Sequence, residues 1–453
     1  MSETEPEIHR AARRGDLATL ARLLAEGVDI NLRYDADLEH GSQLRQLTPL
    51  MTAARSMDGA TEQTLAWLVE HGADLHAVSG GKVTAAWYAA GKGGCWWADP
   101  WHKVPSHAAR LKFLLDAGLN PHEASCTGRS LLSEACFAGD LAAVKLLLEH
   151  GVSYEPVAGW LDEGNDFHTE NHWAGSLEGA LQREQIPLFG AAESGSVECV
   201  QLLLNYGARI DRVDDYDYDL LDVALSQDHF YTPEYQAPSP RYAVIAKLLL
   251  DAGVPLDRIN KNGHSRLYWI TFCQQLYGVE FLLEQGASLD GYPLKAICFH
   301  GPSRYPENPA QERIVRMLVA AGVPFEAPDY TMLQMAIFGD IPNSNIVRVL
   351  LELGANPEFH DSDGTGPLHW AVGEHSVESV RLLLQYGANP LHTNHRGEIP
   401  LARAHREVIK REERAREDPE SQWGADQARM VLTLLEAAVA GIEQTAALGK
   451  IRG

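Results

Sequence analysis

The chain has 453 residues, 45% of them hydrophobic, and a net charge of −24. The apolar share is ample for packed cores, yet no stretch approaches the ~18 apolar residues of a membrane-spanning helix. The acidic balance argues against a nucleic-acid or anionic-membrane partner, either of which asks for clustered Lys and Arg.

One phrase recurs ten times: two or three aliphatic residues, a polar or small residue or two, then glycine followed by a small or aliphatic residue. The phrase glycines are Gly27, Gly72, Gly118, Gly151, Gly207, Gly253, Gly286, Gly322, Gly354 and Gly387. They stand 32 to 56 residues apart with a floor near 33, so the longer intervals are that floor plus insertions. Val144, Leu147 and Leu148, and again Val380, Leu383 and Leu384, fall at helical spacing before their glycine. Glycine supplies the left-handed conformation that ends the helix. Another helix is predicted upstream of each, each unit being a turn, a short helix, a second helix and a glycine stop.

Taken in order, the first unit begins at Glu7 without a turn and reads as an amino-terminal cap over 1–31. Thr48-Pro49-Leu50 opens the next, threonine as cap and proline in the first turn. In the third, the inter-helix insertion Lys92 to Ser106 carries Trp96, Trp97 and Trp101, either a satellite core or partner contact. Residues 155–184 enlarge a turn and bring Trp160, Asp162, Glu163, Asp166, His168, Glu170, His172 and Trp173. Ile186-Pro187-Leu188 starts the following helix. The turn from Asp211 to Asp219 has ordinary length and unusual sequence, with Asp211, Asp214, Asp215, Tyr216, Asp217, Tyr218 and Asp219. Residues 227–240 separate two helices and hold Phe230, Tyr231 and Tyr235. Gly301 to Ala310, with Tyr305, is a weaker insertion of the same kind. The run Arg403 to Glu420 alternates in charge and predicts an exposed helix ending near Pro419. Residues 398–453 read as a degenerate carboxy-terminal cap whose last long helix is Ala425 to Val439.

From Gly387-Ala388-Asn389-Pro390 through Asn394-His395-Arg396-Gly397 to Pro400-Leu401, the residues resemble the ankyrin repeat family. The stretch from Gly354-Ala355-Asn356-Pro357 through Asp363-Gly364 to Pro367-Leu368-His369 matches equally well. The resemblance covers nearly the whole chain. It implies an all-α ankyrin-repeat solenoid of about 10–11 helix-turn-helix units with long loop insertions, forming a single domain over 1–453. It also implies turns projecting from one edge and a concave face of first helices. The histidine of the family's Thr-Pro-Leu-His phrase bonds to neighbouring backbone. His369 alone holds that place here, Met51 and Phe189 replacing it elsewhere, while His9 is read simply as structural.

Between Glu155 and Pro240 there are 17 Asp and Glu against 3 Lys and Arg, a balance of −14 that is more than half the net charge. Carboxylates steer a basic partner, and Tyr and Trp give rigid contact area. The expected partner-binding residues are therefore Trp160, Asp162, Glu163, Asp166, Asp211, Asp214, Asp215, Tyr216, Asp217, Tyr218, Asp219, Tyr231 and Tyr235, together with Trp96, Trp97 and Trp101. The bland alternative is solvated acidic loops that keep the chain soluble.

No phosphate loop or nucleophile elbow is present in the sequence. His168 and His172 stand at i, i+4, but Thr169 occupies the place where a zinc protease has glutamate. No metal, cofactor or catalytic residue is expected. The six cysteines, Cys95, Cys126, Cys136, Cys199, Cys273 and Cys298, are scattered, with no two close enough for a metal-binding pair; Cys136, Cys199 and Cys273 fit core positions, in keeping with a reducing compartment. Met1 to Arg10 lacks the apolar core of a leader, and a cytoplasmic protein, monomeric when free, is expected.

The reading is a non-enzymatic protein-binding module for a basic protein, an inhibitor or immunity protein neutralising a toxin or effector. A general adaptor or host-directed effector is the alternative. A metal-dependent hydrolase centred on His168 and His172 is a remote one.

Overall fold

The computed structural model describes residues 5–37, 43–91, 107–125, 128–155, 185–214, 217–226, 240–291, 293–299, 309–327, 330–338 and 343–452. They form two compact units, Met1–Pro255 and Leu256–Gly453. Both are built from helix pairs.

Thr48 shows how a pair starts. Its hydroxyl accepts from the Met51 amide at 3.4 Å, and Pro49 fills the first turn, where a missing N–H costs nothing. The helix that follows, Pro49–Ala54, is buried at every residue. Its partner Glu62–Glu70 buries Thr64, Leu65 and Leu68 and leaves the other face to water. Asp16, Ser130, Asp140, Ser196, Ser265 and Ser376 cap further helices with their side chains.

The short helices pack against one another in succession. In the first unit they are Glu7–Arg14, Pro49–Ala54, Ala85–Ala90, Leu131–Ala138, Pro187–Glu193 and Leu220–Leu225. In the second they are Arg266–Phe272, Pro293–Phe299, Met332–Phe338, Pro367–Gly373 and the longer Pro400–Glu417. A second row runs beside each. It comprises Glu62–Glu70, Ala108–Asp116, Leu141–Glu149, Val197–Asn205 and Pro240–Asp251, then Leu276–Glu284, Pro309–Ala320, Ser344–Glu352, Val377–Gln385 and Gln422–Arg452. Leu68, Leu114, Leu147, Leu203 and Leu249, then Leu282, Leu318, Leu350 and Leu383, sit fully buried between the rows of their unit. These are the aliphatic residues of the repeated phrase, and the expected all-α repeat architecture is the observed one.

The phrase glycine ends each second helix. Gly387 has φ +95°, its amide donates to the Leu384 carbonyl at 3.2 Å, and the next amide, of Ala388, reaches back to Leu383 at 2.9 Å. Two orphan carbonyls of the last turn are thereby satisfied.

The turn after the glycine is a built hairpin. Seven residues on, Asn394 donates its amide to the Glu398 carbonyl, while its side-chain oxygen accepts from the amides of Arg396 and Glu398 at 3.0 Å each. Asp361 and Asn260 repeat this arrangement. Two strand pairs also occur among the described residues. Tyr34–Asp37 runs antiparallel to Gln43–Leu47, and Glu326–Ala327 to Tyr330–Thr331. The first is a lengthened hairpin that the residue pattern did not reveal.

His9 is structural, as expected, and shares the place that the residue pattern gives to His369 alone. Its Nε2 donates to the Leu32 carbonyl and its Nδ1 accepts from the Thr52 hydroxyl, both at 2.8 Å. His369 donates likewise to the Glu398 carbonyl at 3.1 Å. Ile8-His9 therefore does the work of Leu368-His369, although Glu7 stands where Pro367 does and Pro6 lies one residue earlier, at the cap. The terminal elements follow the charge pattern closely. Pro400–Glu417 is one helix, whereas the last helix, Gln422–Arg452, is longer than the span from Ala425 to Val439 that the apolar residues marked. Cys136, Cys199 and Cys298 are buried, and burial pushes the Cys199 thiol up to about 11 and that of Cys298 to about 12. They are unreactive core residues.

Candidate partner-binding surface

One recurring device ties several of the described hairpins to the next. The side chain four residues after a phrase glycine accepts from the backbone amide two residues after the next one. Asn31 accepts from Asp74 at 2.8 Å, Glu155 from Arg209 at 3.3 Å and Asp257 from Ser288 at 2.9 Å. Glu358 accepts from Asn389 in the same way. These groups set the spacing of the exposed turns, so the acidic residues among them are first of all structural.

The same register dissects the segment from Asp211 to Asp219. Asp214 stands seven residues after Gly207, at the place of Asn260, Asp361 and Asn394. It is 3% exposed, its backbone amide donates to the Tyr218 carbonyl, and its carboxylate accepts from the Tyr218 amide at 2.9 Å. Asp219 is 4% exposed and caps the helix Leu220–Leu225, accepting from the amides of Leu221 and Asp222, while Asp222 accepts from the Asp219 amide. Both were expected in a partner interface. Buried and engaged with backbone, they hold the turn instead. Asp217 has φ +66° at a position where Gly263, Gly364 and Gly397 stand elsewhere. Asp211 is exposed and pairs with Arg209 at 2.8 Å, which holds its carboxyl below the ordinary value through that hydrogen bond. Tyr218 is half-buried.

The turns instead offer apolar tips. The sixth residue after the glycine is 47% exposed at Val78 and 40% at Val213 in the first unit, and 71% at Ile259 in the second. β-Branched residues suit the strand-like backbone there, so the pattern gave no sign that they face solvent. Trp423, 72% exposed on the last helix, is a further uncovered aromatic.

Of the expected interface, Trp96, Trp97, Trp101, Trp160, Asp162, Glu163, Asp166, Asp215, Tyr216, Tyr231 and Tyr235 lie outside the described residues, as do His168 and His172. Their flanks are clear. The insertion from Lys92 to Ser106 falls between the helices Ala85–Ala90 and Ala108–Asp116, and that from Gln227 falls before Pro240–Asp251.

Residues 105–214 and 307–394 match the family described as ankyrin repeats (3 copies). Over those residues the chain carries ankyrin repeats. Its ankyrin hairpins and helix pairs are those described above, and the repeats mark it as a protein–protein interaction module. Among solved structures it is similar to the human ASB11 ankyrin repeat domain, 21% identical, covering 63% of this chain and 99% of that one at a TM-score of 0.42. Among curated proteins, no relative matches it. Among the described residues, no helix is long and apolar enough to cross a membrane.

Proposed function

We propose that this ankyrin-repeat protein is a non-enzymatic inhibitor of a basic protein, of the kind that neutralises a cognate toxin or effector. The observation that carries the reading is the charge of residues 155–240, 17 acidic against 3 basic. Acidic residues steer a basic partner and repel acidic competitors. Long irregular insertions between regular repeats suit one dedicated partner better than promiscuous scaffolding. The register of the turns narrows the contributors. Asp214 and Asp219 are spent on the hairpin and the helix cap, which leaves Asp162, Glu163, Asp166, Asp211, Asp215 and Asp217, of which the first four carry the test.

The test is an affinity capture from the native source, with the full chain beside a variant carrying Asp162→Asn, Glu163→Gln, Asp166→Asn and Asp211→Asn. The expected result is one dominant basic partner whose retention falls at least ten-fold in the variant and with rising salt. Equal retention of that partner by both chains sinks the electrostatic reading. If the captured protein keeps its full activity in the complex, the inhibitor reading fails while the binding one stands.

A further inference from the structure

Two consecutive turns of the second unit bring Glu358, His360 and His392 together. One ligand atom from each lies within 4.8 Å of the other two. The rings of His360 and His392 stack, with centroids 3.6 Å apart and planes 24° apart. We propose that these three side chains form a transition-metal site, selective for zinc-class ions, that clips one hairpin to the next.

The argument starts from the repeat register. Glu358 is the recurring fourth residue, and one of its oxygens accepts from the Asn389 amide. In the repeat at Glu155, the other carboxylate oxygen is neutralised by Arg212, five residues after the next glycine, at 2.6 Å. The residue five after Gly387 is His392. Here the cation of the pair is replaced by an imidazole, and a second imidazole, His360, stands beside it. A carboxylate facing two stacked imidazoles is a good ligand set.

The frame is already rigid. Nε2 of His392 donates to the Gly364 carbonyl at 3.0 Å, which places the lone pair of the neutral ring on Nδ1. The His395 amide donates to the Asp363 carbonyl at 2.9 Å and locks the two hairpins together. His360 lies against Gly366, where an added Cβ would come within 3.1 Å of its ring. Glu358 and His392 thus each have a backbone hydrogen-bond partner that orients them, and His360 is packed against Gly366, the kind of support that metal-binding imidazoles and carboxylates ordinarily need. Ligand atoms around a tetrahedral zinc lie about 3.4 Å apart, so closure asks for side-chain movements of roughly 1 Å. Two nitrogens and one oxygen favour Zn²⁺ over Mg²⁺ or Ca²⁺, which prefer all-oxygen sites. The fourth position falls to water.

The experiment is titration calorimetry of the EDTA-stripped full chain with ZnCl₂ and, separately, MgCl₂. Thermal melts with and without zinc accompany it. Three variants are compared: Glu358→Gln, which keeps an oxygen for the Asn389 amide, His392→Gln, and a control with His168→Gln and His172→Gln. The expected result is one zinc per chain bound by the native protein and by the control. Zinc should raise the melting temperature of both, and affinity should fall ten-fold or more in Glu358→Gln and in His392→Gln. Metal-free melts of those two variants that match the native protein exclude loss of fold. Should either melt early, His360→Gln serves as the third ligand variant. Unchanged zinc affinity in the ligand variants, loss confined to the control, or no zinc binding by the native chain overturns the proposal.

Discussion

At the scale of single residues, the repeat is a set of positions with fixed conformational duties. In six of the described hairpins the tenth residue after the phrase glycine has positive φ, and four of them meet that demand with Gly128, Gly263, Gly364 and Gly397. Lys82, at φ +58°, and Asp217, at φ +66°, meet it under strain. A left-handed conformation costs a residue with a Cβ about 1–2 kcal/mol, somewhat less for Asp, and glycine removes that cost. Lys82 is exposed, so nothing is lost from a core when it is shortened. We predict that Lys82→Gly raises stability by about 1 kcal/mol, read as a shift of the urea midpoint with unchanged slope. A midpoint that falls would mean the lysine side chain contributes more than its backbone conformation costs. The same positional logic explains what was legible beforehand. The glycine phrase, the Thr48-Pro49 start and the aliphatic spacing fixed the helix pairs because each is a local signal. The duties of Asp214 and Asp219 were not legible, since a cap or hairpin aspartate and a solvent-facing one look alike until the register is counted from Gly207. His9 reads as structural, but its likeness to His369 was not legible: its hydrogen bonds reach Leu32 and Thr52, and nothing adjacent in the chain announces them. Glu358, His360 and His392 were invisible as a group because they belong to two different repeats.

At the scale of elements, the packing of successive short helices decides which small residues are obligatory. Gly190 lies inside the helix Pro187–Glu193, where alanine would ordinarily be favoured by ~1 kcal/mol. Here an added Cβ would stand 2.7 Å from the Phe137 ring of the preceding short helix. That ring cannot easily withdraw. The guanidinium of Arg129 lies over it, 4.9 Å from its centroid, and Arg129 is itself held by buried Glu134 at 2.8 Å. Overpacking of this kind costs about 1–3 kcal/mol, which exceeds the gain in helix propensity. Gly190→Ala is therefore expected to lower the thermal midpoint, and adding Phe137→Leu should recover part of the loss. If the single variant is as stable as the native chain, the stack is looser at this step than the distances say. Trp96, Trp160 and their neighbours interrupt the repeat without a pattern of their own, so their sequence shows composition and not geometry.

For the molecule as a whole, the concentration of buried neutral histidines sets the response to acid. Burial pushes the pKa of His9, His369 and His375 below the ordinary 6.5, and that of His107 to about 4, where the charge of Arg110 adds to the effect of burial. A histidine whose folded pKa is depressed binds its proton more readily in the unfolded chain. Stability is then intact above about pH 6.5 and falls as the pH drops toward the folded value. For His107 the window runs from 6.5 to about 4, worth roughly 3 kcal/mol at 1.36 kcal/mol per unit. Glu123 and Glu374, whose carboxyls burial pushes upward, act with the opposite sign. The total acid response mixes the two, whereas a comparison with His107→Gln isolates one group. Urea denaturation at pH 7.5 and pH 4.5 should show the native chain losing more stability on acidification than the variant does, by a margin of about 2–3 kcal/mol. Parallel losses in the two proteins would mean that His107 is protonated in the fold without penalty, its imidazolium answered by the carboxylate of Asp140.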